Sequence, residues 1–411
     1  MSLFTPIKLG DLELRNRIIL APLTRRRANA QAVPSKSAPL YYAQRAGAGL
    51  IISEGTCISR EGIGDRRLPG LWTEDQVEAW RDVTEAVHVQ GGLIVAQLWH
   101  TGRASHPRLQ TNGEHAVAPS AIAIEKDREL DGEMIPSAVP RALDTDEIPR
   151  VVADYAAAAT KALDAGFDGV ELHGANGYLI DEFLQDGTNK RTDRYGGSVE
   201  ARTLFLREVL EAVTGAIGAS RVGLRISPSS MFQSMHDSAP NELWARVLEV
   251  VAKFDLAFLH LVEPGISGSE SHRSHADGID SAWVRARYTG RLIAAGRYTA
   301  DSARAALADG RLDAVAFGRL FTSNPDLPKR LRDSAALTPP HPPTFYTADD
   351  AGYVDWPSLA AEQLLRELES GQRSIEELES SVRVTNFSGT TPYPEWEAAW
   401  AISRYRRIQD A

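Results

Sequence analysis

The sequence predicts an α/β chain folded as a (β/α)8 TIM barrel, with an N-terminal hairpin and a helical C-terminal extension. Three observations predict it. Eight short apolar runs with strand character recur along the chain, helical patterns fill most of the gaps between them, and polar residues gather where the runs end. The 411 residues exceed a usual single domain, but barrels of this kind run past about 250 residues as one unit.

A hairpin comes first, because 7–9 and 12–14 flank Gly10-Asp11; it is placed to plug the bottom of the barrel. Strands are expected at 17–23, 49–54, 92–98, 169–172, 222–226, 257–262, 291–295 and 314–317. Helices are expected at 75–90, 146–165, 198–217 and 241–254, with a short one at 299–308 before the last strand. The alanine-rich 151–163 stretch favours helix. One connection, 101–145, is long and rich in Pro, Gly and His; it is expected on the top face, over a site. Residues 1–357 then form the barrel and 358–411 the extension. In that tail, Ser374-Ile375-Glu376-Glu377 fits a capping box. Tyr393-Pro394 opens a second helical pattern with Trp396 and Trp400 on one face, either packing on the barrel or forming a subunit contact in a homo-oligomer.

The net charge of −10 argues against nucleic acid or an anionic membrane as the main partner. With one cysteine, Cys57, intramolecular disulfides and four-cysteine iron–sulfur clusters are excluded. No apolar run is long enough to span a membrane, and the N-terminus lacks signal-peptide character, so a cytoplasmic setting is expected.

Chemistry concentrates at the strand ends. The fourth run ends in Leu172 and hands over to His173, Asn176 and Tyr178. His173 and Asn176 can donate hydrogen bonds, and Tyr178 carries a phenolic proton. Two donors beside one proton source suit a reaction that builds charge on an oxygen and then protonates a carbon. The seventh and eighth strand ends carry Gly296-Arg297 and Gly318-Arg319. Loops at these two positions often bind phosphate, with glycine admitting the ligand and arginine offering a planar fork.

Together these stretches resemble the Old Yellow Enzyme family of FMN-dependent ene-reductases. The matching residues are Ala21-Pro22-Leu23-Thr24-Arg25, Gln97-Leu98-Trp99-His100-Thr101-Gly102-Arg103 and His173-Gly174-Ala175-Asn176-Gly177-Tyr178. They continue through 183–193, Tyr195-Gly196-Gly197-Ser198, Val315-Ala316-Phe317-Gly318-Arg319 and Asn324-Pro325-Asp326-Leu327. The resemblance implies FMN held at the barrel mouth, NADPH or NADH as reductant, and a small electron-poor alkene as oxidant.

It also implies roles. Arg225 lies near the flavin N1 and O2 atoms, where reduction places negative charge. Gln97 bonds the pyrimidine edge, Thr24 donates to flavin O4, and Pro22, Leu23 and Gly55 give backbone contacts. Gly296, Arg297, Gly318 and Arg319 bind the phosphate. His173 and Asn176 hold the carbonyl or nitro oxygen, flavin N5 delivers hydride to the β-carbon, and Tyr178 protonates the α-carbon. Trp99 and Tyr346 line the substrate pocket.

Three features depart from the family pattern. Leu320 replaces a common proline, 346–350 lacks expected glycines, and the tail after Pro357 is long. Thr24, rather than cysteine, resembles the classical branch of the family and not the thermophilic-like one. A metal-dependent hydrolase using His100, His173 and His260 is disfavoured because no ligand spacing such as H-E-x-x-H occurs, so no metal is expected. A flavin barrel acting mainly as an assembly module through its tail is the third reading. The dienoyl-CoA reductase type needs cysteine ligands that Cys57 alone cannot supply.

Overall fold

The computed structural model describes residues 2–267, 270–271, 278–385 and 395–409. Eight parallel strands form a closed barrel: β1 (Ile18–Leu20), β2 (Leu50–Cys57), β3 (Ile94–Trp99), β4 (Gly169–Gly174), β5 (Val222–Ile226), β6 (Phe258–Val262), β7 (Leu292–Ala295) and β8 (Ala314–Phe317). Each strand pairs with the next in sequence, and β8 closes on β1. All eight expected strands are present. The first is shorter than expected because Pro22 has no N–H to donate. Ala21 N still bonds Phe317 O at 3.0 Å, and the ladder stops there.

The period of two divides each strand between two cores. Ile18, Leu20, Ile94, Leu98, Val170, Leu172, Leu259 and Val315 face outward and pack under the helices. Ile19, Leu50, Ile52, Val95, Phe258, Ile293 and Ala314 face inward. The N-terminal hairpin, Ile7–Leu9 with Leu12–Leu14, joins that inner cluster and plugs the bottom of the barrel. Its turn is anchored by Asp11 N to Ser220 O at 2.9 Å. Gly10, at φ +56, allows this approach: a Cβ there would lie 2.1 Å from Ser220 O.

Helices Glu74–Val89, Ile148–Asp164, Leu204–Ile217, Pro240–Val251 and Ala300–Ala308 follow the expected segments. The expected 198–217 helix divides into Val199–Arg202 and Leu204–Ile217 at Thr203. The long connection after β3 carries an antiparallel hairpin, Arg128–Leu130 with Glu133–Ile135. Asp131 at its turn holds Arg66 at 2.9 Å and Arg108 at 3.2 Å. Arg103, earlier in the connection, donates to Gln233 O beyond β5 at 2.6 Å, which draws the segment over the top face.

The tail contributes helices Leu359–Glu369, Ile375–Thr385 and Trp396–Gln409. The capping box forms, with Ser374 N donating to Glu377 Oε2 at 2.8 Å and Glu377 N donating to Ser374 Oγ at 3.1 Å. The expected helix start at Tyr393-Pro394 lies outside the described residues. These helices share a small core of Leu368, Leu378, Ala398, Ala401 and Ile402. Their ties to the rest of the chain include Arg330 to Glu362 at 2.7 Å, Leu359 N to Asp326 at 2.8 Å and Trp400 Nε1 to Asp355 O at 2.7 Å. No helix among the described residues is long and apolar enough to cross a membrane.

Candidate active site

Going up the barrel, the inward positions change from apolar to polar. Val95 is followed on the same face by Gln97 and Trp99, and Phe258 by His260. On β4 the face holds Glu171 and His173, and on β5 it ends in Arg225. His173, Arg225 and His260 are in register across three neighbouring strands. The strands thus carry their chemical residues to the top by periodicity alone.

Three rings meet there. Trp99 and Tyr178 pack edge to face with centroids 4.7 Å apart. His173 lies 5.1 Å from the Tyr178 ring and 5.9 Å from Trp99. The turn after β4 makes this contact. Asn176 and Gly177 both take positive φ, +57 and +70, which bends the chain between His173 and Tyr178. Asn176 N is held by Ser227 Oγ at 2.7 Å, and Gly177 N by Asp181 Oδ2 at 2.9 Å. Gly177 also leaves room for the next loop, since a Cβ there would lie 2.7 Å from the Gln233 and Met235 side chains.

Several polar atoms of this site are buried without a protein partner. They include His173 Nδ1, Asn176 Oδ1, Trp99 Nε1 and Arg225 Nε. Buried polar groups are nearly always satisfied, so such a concentration marks a ligand site. Burial and the nearby Arg225 and His260 hold the His173 pKa well below the histidine norm, so its imidazole is neutral. Burial, with Tyr346 and Asp65 nearby, raises the Tyr178 phenol, against a lowering hydrogen bond from Gln233. Tyr178 therefore keeps its proton at neutral pH.

The remaining expected residues ring this centre. Pro22, Leu23 and Thr24 come one residue after β1, beyond Ala21. Gly55 sits after a register shift in β2, and the space of its missing side chain is filled by Trp99; a Cβ would lie 2.1 Å from Trp99 Cε3. Gly296-Arg297 and Gly318-Arg319 follow the adjacent strands β7 and β8, with both arginines exposed. Arg297 adopts φ +61. Tyr346 lies at the rim, 40 % exposed, under the Arg26 guanidinium at 4.9 Å from the ring centre. Its segment is held despite lacking glycines at 346–350. Arg27 donates to Phe345 O at 3.1 Å, Thr347 Oγ1 at 2.7 Å and Ala351 O at 2.9 Å, and Arg25 to Gly352 O at 2.9 Å.

One group, Glu171, escaped the sequence reading as part of the site. Glu171 sits in an apolar run and was given no role from the sequence, yet it is fully buried. It accepts from Gln97 Nε2 at 2.7 Å and lies 2.6 Å from His260 Nδ1. The signal was available in its phase: Glu171 lies two residues before His173, on the same strand face. The histidines of the hydrolase reading have separate surroundings. His100 faces Glu61 at 3.9 Å, while His260 faces Glu171. Among the described residues, no group of three His, Cys, Asp or Glu side chains could hold a metal ion.

Comparison with known proteins agrees with this architecture. Residues 2–337 match the family described as NADH:flavin oxidoreductase / NADH oxidase. The flavin oxidoreductase hxnT of Emericella nidulans is 43 % identical over 380 residues, covering 86 % of this chain and 97 % of that protein. The 12-oxophytodienoate reductase 1 of Oryza sativa subsp. japonica is 44 % identical, covering 87 % and 93 %. Among solved structures, the old yellow enzyme homologue from Zymomonas mobilis superposes with a TM-score of 0.83 at 45 % identity, covering 87 % of this chain and 99 % of that one. Morphinone reductase in complex with tetrahydroNAD gives a TM-score of 0.81 at 45 % identity, covering 87 % and 98 %. The chain belongs to the Old Yellow Enzyme family of FMN-dependent NADH:flavin oxidoreductases.

Proposed function

We propose that this flavin oxidoreductase is an ene-reductase that saturates the activated C=C of α,β-unsaturated carbonyl or nitro compounds at the expense of NADPH or NADH. The observation that carries the reading is the packed Trp99–His173–Tyr178 trio with buried, unpartnered polar atoms on His173 and Asn176. The donor set suits FMN. Arg225 offers a half-buried cation with an unpartnered Nε, Gln97 an amide, and the glycine–arginine turns after β7 and β8 a setting for phosphate. When bound, FMN supplies two-electron hydride chemistry between nicotinamide and alkene.

The protein's own residues do the rest. Arg225 stabilises negative charge at the pyrimidine end, where Gln97 makes the edge contact. Thr24 donates to the O4 side, and Pro22, Leu23 and Gly55 give backbone contacts. Gly296, Arg297, Gly318 and Arg319 hold the phosphate. His173 and Asn176 donate to the substrate oxygen, and those bonds strengthen as it gains enolate character. A neutral imidazole is the right form, since it donates without giving up its proton. Tyr178, held protonated, delivers a proton to the α-carbon. Trp99 and Tyr346 wall the substrate. We also read 1–357 as the catalytic unit, 358–411 as an appended element and subunit contact, and the setting as cytoplasmic.

The test is anaerobic. Purified protein should be yellow, bleach at the flavin band with NADPH or NADH, and recover colour with cyclic enones, maleimides or nitroalkenes. Colourless protein that takes up no FMN would refute the reading.

A further inference from the structure

Beneath the three rings lies a second polar layer that no role above uses fully. Glu171, Gln97 and His260 come from β4, β3 and β6, and all three side chains are buried inside the barrel. The Glu171 carboxylate spans them, with Oε1 accepting from Gln97 Nε2 at 2.7 Å and Oε2 lying 2.6 Å from His260 Nδ1. Arg225, on the intervening β5, is in register with His260 and feels the Glu171 charge, which opposes the effect of burial on the guanidinium.

We propose that Glu171 is a positioning residue for the cofactor: it sets the orientation of the Gln97 amide and offsets the charge that Arg225 presents to the pyrimidine end of FMN. The proposal rests on the reading that Gln97 and Arg225 face that end. An amide can turn over, exchanging donor and acceptor, and a pyrimidine edge distinguishes the two. An ionised carboxylate only accepts, so it selects the Nε2 end of Gln97 and leaves Oε1 with the second N–H for the ligand. His260 holds the carboxylate in place from the far side. Burial lowers the His260 pKa, so it is neutral and gives its Nδ1 proton to the bond. The same carboxylate is a fixed negative charge below Arg225, and it limits how far the arginine favours the reduced, more negative flavin.

These two roles separate in two variants. Glu171→Ala frees the amide, and the full-length holoprotein should release FMN on dilution about tenfold more readily, read by free-flavin fluorescence. Glu171→Gln keeps a polar group of the same shape but removes the charge. It should move the redox equilibrium against a reference dye toward reduced flavin by roughly tenfold or more. Gln97→Leu is the control for the underlying reading. If it retains FMN like the parent protein, the placement of Gln97 is wrong and the proposal falls with it. If Gln97→Leu releases FMN while both Glu171 variants match the parent in affinity and potential, the proposal alone is overturned. Should the Glu171 variants not fold, His260→Leu should release FMN more readily and His260→Asn, which keeps a donor, should restore retention; equal retention by the parent and His260→Leu overturns the proposal.

Discussion

His173 and Tyr178 sit in ring contact, yet burial moves their pKa values in opposite directions: the histidine down, the phenol up. Both shifts favour the uncharged form, so one can donate to a substrate oxygen while the other keeps a transferable proton. Tyr178→Phe should therefore slow flavin reoxidation by an enone about 10²–10⁴-fold while leaving reduction by NADPH or NADH unchanged, as read by anaerobic stopped-flow. Loss of the reductive step instead would remove Tyr178 from its assigned role. His173, Asn176 and Tyr178 were legible in the sequence because they fall within six residues of one strand end. Glu171 was not. Its partners lie 74 and 89 residues away, and only the closed ring brings them together.

At the level of elements, the barrel strands were legible because each carries an outward apolar phase that the helices cover. Boundaries were harder to read, as Pro22 ending β1 and Thr203 dividing a helix illustrate. The bottom hairpin depends on one backbone conformation. Gly10→Ala would force a side chain into positive φ and against Ser220 O, and should cost about 1–3 kcal/mol in urea unfolding. The helix Leu179–Leu184 carries two buried acids just after Tyr178. Burial raises Asp181 to about 7 and Glu182 to about 8, against lowering by Gly177 N and Gln185 for the first and by Arg103 for the second. The unfolded chain ionises such groups more readily than the fold does. Stability from Glu182 is thus greatest below the unfolded value of 4.5 and is lost as pH rises through about 8. Glu182→Gln should flatten the fall in Tm between those limits; an unchanged slope would show that Glu182 does not titrate there.

For the whole molecule, the expected top-face cover, bottom plug and appended helices are all present, while the occupants of the mouth are read from chemistry. The tail has its own small core and few ties to the barrel, so truncation after Pro357 should leave FMN bound and enone turnover intact, checked by absorbance and assay. A changed elution volume would locate a subunit contact in 358–411; loss of flavin would make the tail part of the catalytic unit. Finally, Cys57 is wholly buried with Ala32, Ile63, Leu68 and Trp99, and burial pushes its thiol pKa far up. Native protein should therefore consume no Ellman's reagent and denatured protein one equivalent. A cysteine introduced at Met134 or Ile408 could then carry a dye or spin label without first removing the natural one, so that spectroscopy could follow the cover and the tail separately during turnover.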